Sequence, residues 1–134
     1  MIALDTSALV AIALCEPEEE AFNRVVAART AVVGAPTLVE TRMVLESRIP
    51  ETAAEFLLGF TRSPSVTVLA FDAAMYELAC SAFARFGKGR GRPAQLNFGD
   101  CLSYAVAKSN TARLLFKGDD FSRTDILPVF PLDR

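Results

Sequence analysis

The chain has 134 residues, of which 51% are hydrophobic and 22% charged, with a net charge of -2 and no histidine. That length suits one compact domain able to bury its own core, so a single domain over residues 1–134 is expected. The composition is too apolar for disorder, the mild acidity argues against indiscriminate nucleic-acid binding through overall charge, and the lack of imidazole excludes a Ser-His-Asp triad, a Cys-His pair and a paired-histidine ribonuclease.

Any chemistry therefore falls to carboxylates or a metal. Of the 14 basic residues 11 are arginine, whose planar fork suits phosphate. The longest apolar stretch, Ile2 to Cys15, is interrupted by Asp5, Thr6 and Ser7, and nothing approaches the roughly 20 apolar residues of a bilayer span. No membrane association is expected. The first residues lack a basic leader, so a cytoplasmic location is expected. Cys15, Cys80 and Cys101 have no metal-type spacing and read as buried free thiols.

Met1 to Asp5 reads as a short buried strand ending at a carboxylate, with Thr6 or Ser7 as N-cap of an apolar helix through Leu14. Glu18 to Ala28 has helical periodicity, with Pro17 suited to a first turn. Thr30 to Gly34 is a strand. Thr37 followed by Glu40 has the form of a capping box opening a helix towards Arg48, and Ile49-Pro50 ends it. Glu51 to Phe60 is a further amphipathic helix, and Val66 to Phe71 has strand alternation. Asp72 is suited to cap the next helix, which extends to about Phe86.

Gly87 to Leu96 combines three glycines, a proline and the basic residues Lys88, Arg90 and Arg92, which predicts a mobile basic loop. Asn97 is suited to cap a helix from Phe98 to about Lys108, Arg113 to Lys117 is an apolar strand ending at Gly118-Asp119-Asp120, and Val129 to Leu132 is a candidate last strand. Alternating strands and helices imply βαβ units and a mainly parallel sheet covered on both faces, a three-layer α/β/α fold. Ligands in such folds usually bind beyond the carboxyl ends of the strands.

Asp5 at a strand end, Glu40 and Asp100 in opening turns of helices, and Asp119-Asp120 after a strand all fall at that edge if the crossovers are right-handed. Each also has an ordinary explanation: Glu40 completing the capping box, Asp100 favouring a helix N-terminus, Asp119 and Asp120 serving as turn residues. Asp5 is harder to explain so, because it closes an apolar strand. Clustered carboxylates repel unless a cation neutralises them, and hard oxygen donors suit magnesium or manganese, which can align a phosphodiester and activate water.

The segments Ile2-Ala3-Leu4-Asp5-Thr6-Ser7-Ala8-Leu9, Val39-Glu40, Asn97-Phe98-Gly99-Asp100-Cys101 and Leu114-Leu115-Phe116-Lys117-Gly118-Asp119-Asp120-Phe121 resemble, in order and spacing, the successive motifs of VapC-type PIN-domain toxins. The resemblance implies a PIN-like fold and magnesium- or manganese-dependent cleavage of RNA, leaving 5'-phosphate and 3'-hydroxyl ends. It also implies inhibition by a cognate VapB-type antitoxin and assembly as a homodimer. Carried over by position, Asp5, Glu40 and Asp100 match the family's core acids, Asp5 and Asp100 being the expected metal ligands, and Ser7 matches the small polar residue accompanying Asp5. The fourth acidic place falls to Asp119 or Asp120, with Asp119 favoured as nearer the strand end. Lys88, Arg90 and Arg92 are candidate contacts to the RNA backbone, or simply a solvated loop.

Two rival functions fit parts of the pattern. An aspartate-based phosphoryl-transfer enzyme would also place Asp5 after the first strand, but Ser7 stands where its common Asp-x-Asp plan has the second acid. A non-catalytic PIN-fold binding module would keep the fold without turnover, and metal-dependent RNA cleavage abolished by EDTA separates the two.

Overall fold

The computed structural model describes residues 1–131. Four parallel strands form one sheet in the order β3-β2-β1-β4, with β1 at Ile2–Leu4, β2 at Ala31–Gly34, β3 at Val66–Leu69 and β4 at Arg113–Leu115. Six helices connect and cover them: α1 Thr6–Ala13, α2 Glu19–Arg29, α3 Ala35–Arg48, α4 Ala53–Arg62, α5 Ala73–Phe86 and α6 Phe98–Ser109.

The central strands are apolar throughout because both faces of the sheet are covered. Their alternate side chains then enter two different cores. Ala3, Val32 and Leu114 pack with Met75, Ala82, Tyr104 and Ala105 of α5 and α6. Ile2, Leu4, Val33 and Leu115 pack with Leu9, Ile12, Phe22 and Val26 of α1 and α2. The result is the expected three-layer α/β/α arrangement. A smaller cluster of Leu45, Ala53 and Leu57 joins α3 to α4 and receives Val10, Ala13 and Leu14. In α6 every residue from Gly99 to Ala107 is buried, so this helix carries its polar residues Asp100 and Ser103 into the interior.

Several element ends differ from the sequence-based expectation. Asp5 itself caps α1, its carboxylate accepting from the Ser7 backbone N–H, so neither Thr6 nor Ser7 is the N-cap. The Thr37–Glu40 capping box does not form. Helix α3 begins two residues before Thr37, with Gly34 at the N-cap and Pro36 in the first turn, where a missing N–H costs nothing. Thr37 is thereby buried inside the helix, and its carbonyl accepts from the Thr41 hydroxyl at 2.8 Å. Glu18 caps α2 rather than starting it, and α4, β3 and β4 end at Arg62, Leu69 and Leu115.

The candidate last strand does not form at Val129 to Pro131, and the chain instead makes one parallel bridge just before it, between Leu114 and Pro128. Leu114 donates to the Leu127 carbonyl at 2.9 Å and accepts from Val129 at 3.0 Å, so the missing N–H of Pro128 is never needed. Leu132 lies outside the described residues. Of the cysteines only Cys101 is buried. Cys15 and Cys80 are exposed, the first because it sits just past the end of α1 at a positive φ of 52°. The loop after α5 is closed at its base, where Leu96 donates to Phe86 at 2.9 Å and accepts from Lys88 at 2.8 Å.

Candidate active site

The parallel order brings the carboxyl ends of β1 and β4 side by side, with the start of α6 above them. Asp5 follows β1 directly, and its backbone N–H continues the ladder by donating to Leu115 at 3.0 Å. Its side chain is only 4% exposed, yet both oxygens are occupied. Oδ2 accepts from the Ser7 N–H at 3.0 Å and the Ser7 hydroxyl at 2.6 Å. Oδ1 accepts from the Ser103 hydroxyl at 2.6 Å. Ser7 in turn accepts from the Lys117 N–H at 2.9 Å, which ties the exit of β4 to the Asp5 turn.

Glu40 reaches the same edge from α3. Its carboxylate accepts from the Thr6 hydroxyl at 2.5 Å, and Thr6 is bonded to Thr41 at 3.1 Å. The Glu40 carboxylate also lies against Gly99, in the first turn of α6, at a place that a Cβ on residue 99 would occupy. Glycine at 99 is therefore what lets Glu40 stand beside Asp100.

Asp100 is the third residue of α6 and is 7% exposed. It forms a reciprocal capping box with Asn97: its carboxylate accepts from the Asn97 N–H at 3.0 Å, and its own N–H donates to the Asn97 side chain at 2.9 Å. Burial pushes its pKa up to about 7, against the lowering effect of the Asn97 bond, and the negative charges of Asp5, Asp120 and Glu40 push it further. Three acids from separate parts of the chain thus act electrostatically on Asp100.

Gly118, at a φ of 96°, turns the chain beyond β4 and sets Asp119 and Asp120 on the exposed side of the bend. Phe121 is buried and stacks at a tilt on Phe116, 5.1 Å between rings. The turn is closed by the Asp119 carbonyl, which accepts from the Ser122 N–H and hydroxyl at 3.0 and 2.7 Å. The charge that reaches Asp100 is that of Asp120. Consecutive side chains on a turn point different ways, so the two adjacent acids are not equivalent towards Asp100.

A groove of about 1180 Å³ opens beside the acids, lined among others by Asp119, Asp120, Lys117, Arg123, Gln95 and Phe130. It borders the acidic edge at Asp120 and does not extend over Asp5, Glu40 or Asp100. Lys117 is engaged with Glu16 at 3.1 Å and Glu18 at 3.3 Å, so it is held away from the four acids. Lys88, Arg90 and Arg92 are exposed on the loop that leads into Asn97, and Arg90 lies over the Phe83 ring at 5.6 Å.

The donors gathered here are all carboxylate or hydroxyl oxygens, a set that suits a hard cation. No group of three or more acidic, cysteine or histidine side chains among the described residues is already closed into an ion cage. A magnesium ion does not require one, since it keeps several waters and is usually held by one or two carboxylates. Asp5 and Asp100 are the buried pair able to serve it. Sequence reading singled out the acids and Ser7, gave Thr6 and Gly99 no site role although both lie in the motif segments, and did not single out Ser103 or Thr41. A serine one turn after Asp100 on a helix buried all round was the available signal for Ser103.

The chain matches the PIN domain family over residues 2–127. It is 43% identical over 129 residues to a protein of Mycolicibacterium smegmatis named Ribonuclease VapC, covering 94% of this chain and 98% of that one. The fold is similar to that of VapC20 from Mycobacterium tuberculosis, described as a sarcin-ricin loop cleaving toxin, with a TM-score of 0.78 and 22% identity over 98% of this chain and 100% of that one. It is also similar to a chain of a toxin-antitoxin complex from Klebsiella pneumoniae, with a TM-score of 0.66 and 13% identity over 93% of each.

Proposed function

From the premise that the chain belongs to the PIN-domain family of VapC ribonucleases, we propose that it is the toxin of a VapBC-type pair, an endoribonuclease that hydrolyses RNA phosphodiester bonds with a divalent cation held by Asp5 and Asp100. The observation that carries the reading is Asp100, buried at a helix start and raised to about 7 in the company of Asp5, Asp120 and Glu40. Such a cluster is costly to assemble and is relieved by a cation.

When bound, magnesium or manganese supplies a Lewis acid for the phosphodiester and activates water. The protein residues do the rest. Ser7 and Ser103 hold the Asp5 carboxylate in one orientation, and the capping box with Asn97 does the same for Asp100. Glu40 adds negative charge beside them, fixed by Thr6, and Asp120 stands at the border with the open groove. The exposed Lys88, Arg90 and Arg92 are candidate backbone contacts for RNA, whose phosphates they would neutralise. A cognate antitoxin, homodimer assembly and a cytoplasmic location belong to the same proposal. Among the described residues no helix is long and apolar enough to cross a membrane.

The test is cleavage of a labelled RNA by the purified protein in manganese or magnesium. Activity abolished by EDTA, restored by excess manganese and absent in Asp100→Asn is the expected result. An Asp100→Asn protein that cleaves at the parental rate overturns the assignment.

A further inference from the structure

The geometry points to Ser103 as a positioning residue of the acidic site, one that acts through Asp5 and sets its affinity for the divalent cation. The inference rests on the nuclease reading above and names a residue that the motif pattern does not include.

Ser103 lies one turn after Asp100 on α6, so both side chains point from the same helix face. It is 1% exposed, and its hydroxyl donates to Asp5 Oδ1 at 2.6 Å across 98 positions of sequence. The two oxygens of Asp5 are not equally supported. Oδ2 receives a backbone N–H as well as the Ser7 hydroxyl, so it keeps a donor whatever residue other than proline stands at position 7. Among the described residues Oδ1 receives only Ser103. All three groups are donors, which matches an acceptor-only carboxylate.

Loss of the Ser103 hydroxyl therefore leaves the Asp5 carboxylate held through Oδ2 alone, so its last torsion, broad for aspartate, is less constrained. It also leaves Oδ1 buried without a partner. The same hydroxyl links α6, which carries Asp100, to Asp5 at the junction of β1 and α1, and so holds the pair in register. Ser103 is buried and its hydroxyl is committed to Asp5, so its role is exercised through that carboxylate.

The experiment compares the full-length wild-type protein with Ser103→Ala and Ser103→Cys. Manganese binding is read by titration calorimetry, RNA cleavage by kcat and KM, and stability by thermal melting. Support for ligand groups of this kind typically carries about 10- to 100-fold in metal affinity or activity. Both variants are therefore expected to bind manganese at least about tenfold more weakly and to lose kcat while KM for RNA stays unchanged. Ser103→Cys preserves the packing with a weak donor and carries the test if Ser103→Ala does not fold. Wild-type manganese affinity and kcat in either folded variant, with or without a lower melting temperature, overturn the proposal while leaving the nuclease reading intact. A wild-type protein that neither binds manganese nor cleaves RNA overturns that reading and this inference together.

Discussion

The Glu40 carboxylate of α3 occupies the space that a side chain on residue 99 of α6 would need. Gly99→Ala must therefore displace either Glu40 or the start of α6. Displacement of an acid by about 1 Å can cost on the order of 100-fold in rate, and overpacking costs about 1–3 kcal/mol. The expected outcome is a large loss of RNA cleavage together with a lower melting temperature. In a Glu40→Ala background the obstruction is gone, so adding Gly99→Ala should then cost far less stability. A double-mutant cycle on melting temperatures measures that coupling.

Asp100 makes stability depend on pH in a stated direction. Its folded pKa is about 7, whereas an unfolded aspartate titrates at about 3.9. Between those values the folded state holds the extra proton, so raising pH through this window weakens folding. In EDTA the melting temperature should fall from pH 5 to pH 8. Asp100→Asn should flatten that slope, because it removes the buried charge, and manganese should raise the wild-type melting temperature most at the alkaline end. A wild-type protein whose metal-free stability rises across the window would contradict the placement of Asp100.

A second polar cluster fastens the chain beyond the acidic turn. The buried Tyr104 hydroxyl donates to Asp125 at 2.9 Å, and Asp125 also pairs with Lys108 at 3.1 Å and Arg85 at 3.5 Å. Burial pushes the Tyr104 pKa up to about 12, with the Asp125 bond and charge pushing the same way. Tyr104→Phe keeps the ring and removes the donor, and a hydrogen bond to a charged group contributes about 1.5–3 kcal/mol. The melting temperature should fall by several degrees with manganese affinity unchanged, since the clasp touches neither Asp5 nor Asp100.

The fold was legible because its strands are short apolar runs separated by helical periods, and the two core clusters follow the alternation within β1, β2 and β4. Asp5 and Asp100 were legible for a different reason, one following a strand and the other opening a helix at one sheet edge. Glu40 lies in the second turn of α3 and not in its opening turn as expected, so it was legible only through the motif. Helix starts were read less well where two capping signals competed. Pro36 outranked Thr37 at α3, and Asp5 took the cap that its neighbours were expected to supply. Thr6 and Gly99 contribute through contacts with residues distant in sequence, which no local pattern announces, and Ser103 is signalled only by its place one turn after Asp100.

The same limit applies to Asp119 and Asp120, which adjoin each other in sequence and differ only in where the turn points them. Both border the groove, and the backbone of Asp119 is committed to the turn, its carbonyl accepting from Ser122 twice. Asp120 is the one whose charge raises Asp100, and it is followed by Phe121, buried against the Phe116 ring. That anchor holds the Asp120 backbone near the acidic edge. Asp120→Asn should therefore lower the Asp100 pKa, since one of the repelling charges is removed, and should weaken manganese binding and slow cleavage. Asp119→Asn should leave all three near the parental level, because its structural contribution is a main-chain carbonyl that the substitution retains. Carboxyl titration by carbon-detected NMR reads the Asp100 pKa, and calorimetry with RNA cleavage reads the rest. A catalytic defect confined to Asp119→Asn would return the fourth acidic place to Asp119, and two fully active variants would leave Asp5, Glu40 and Asp100 as the acidic core.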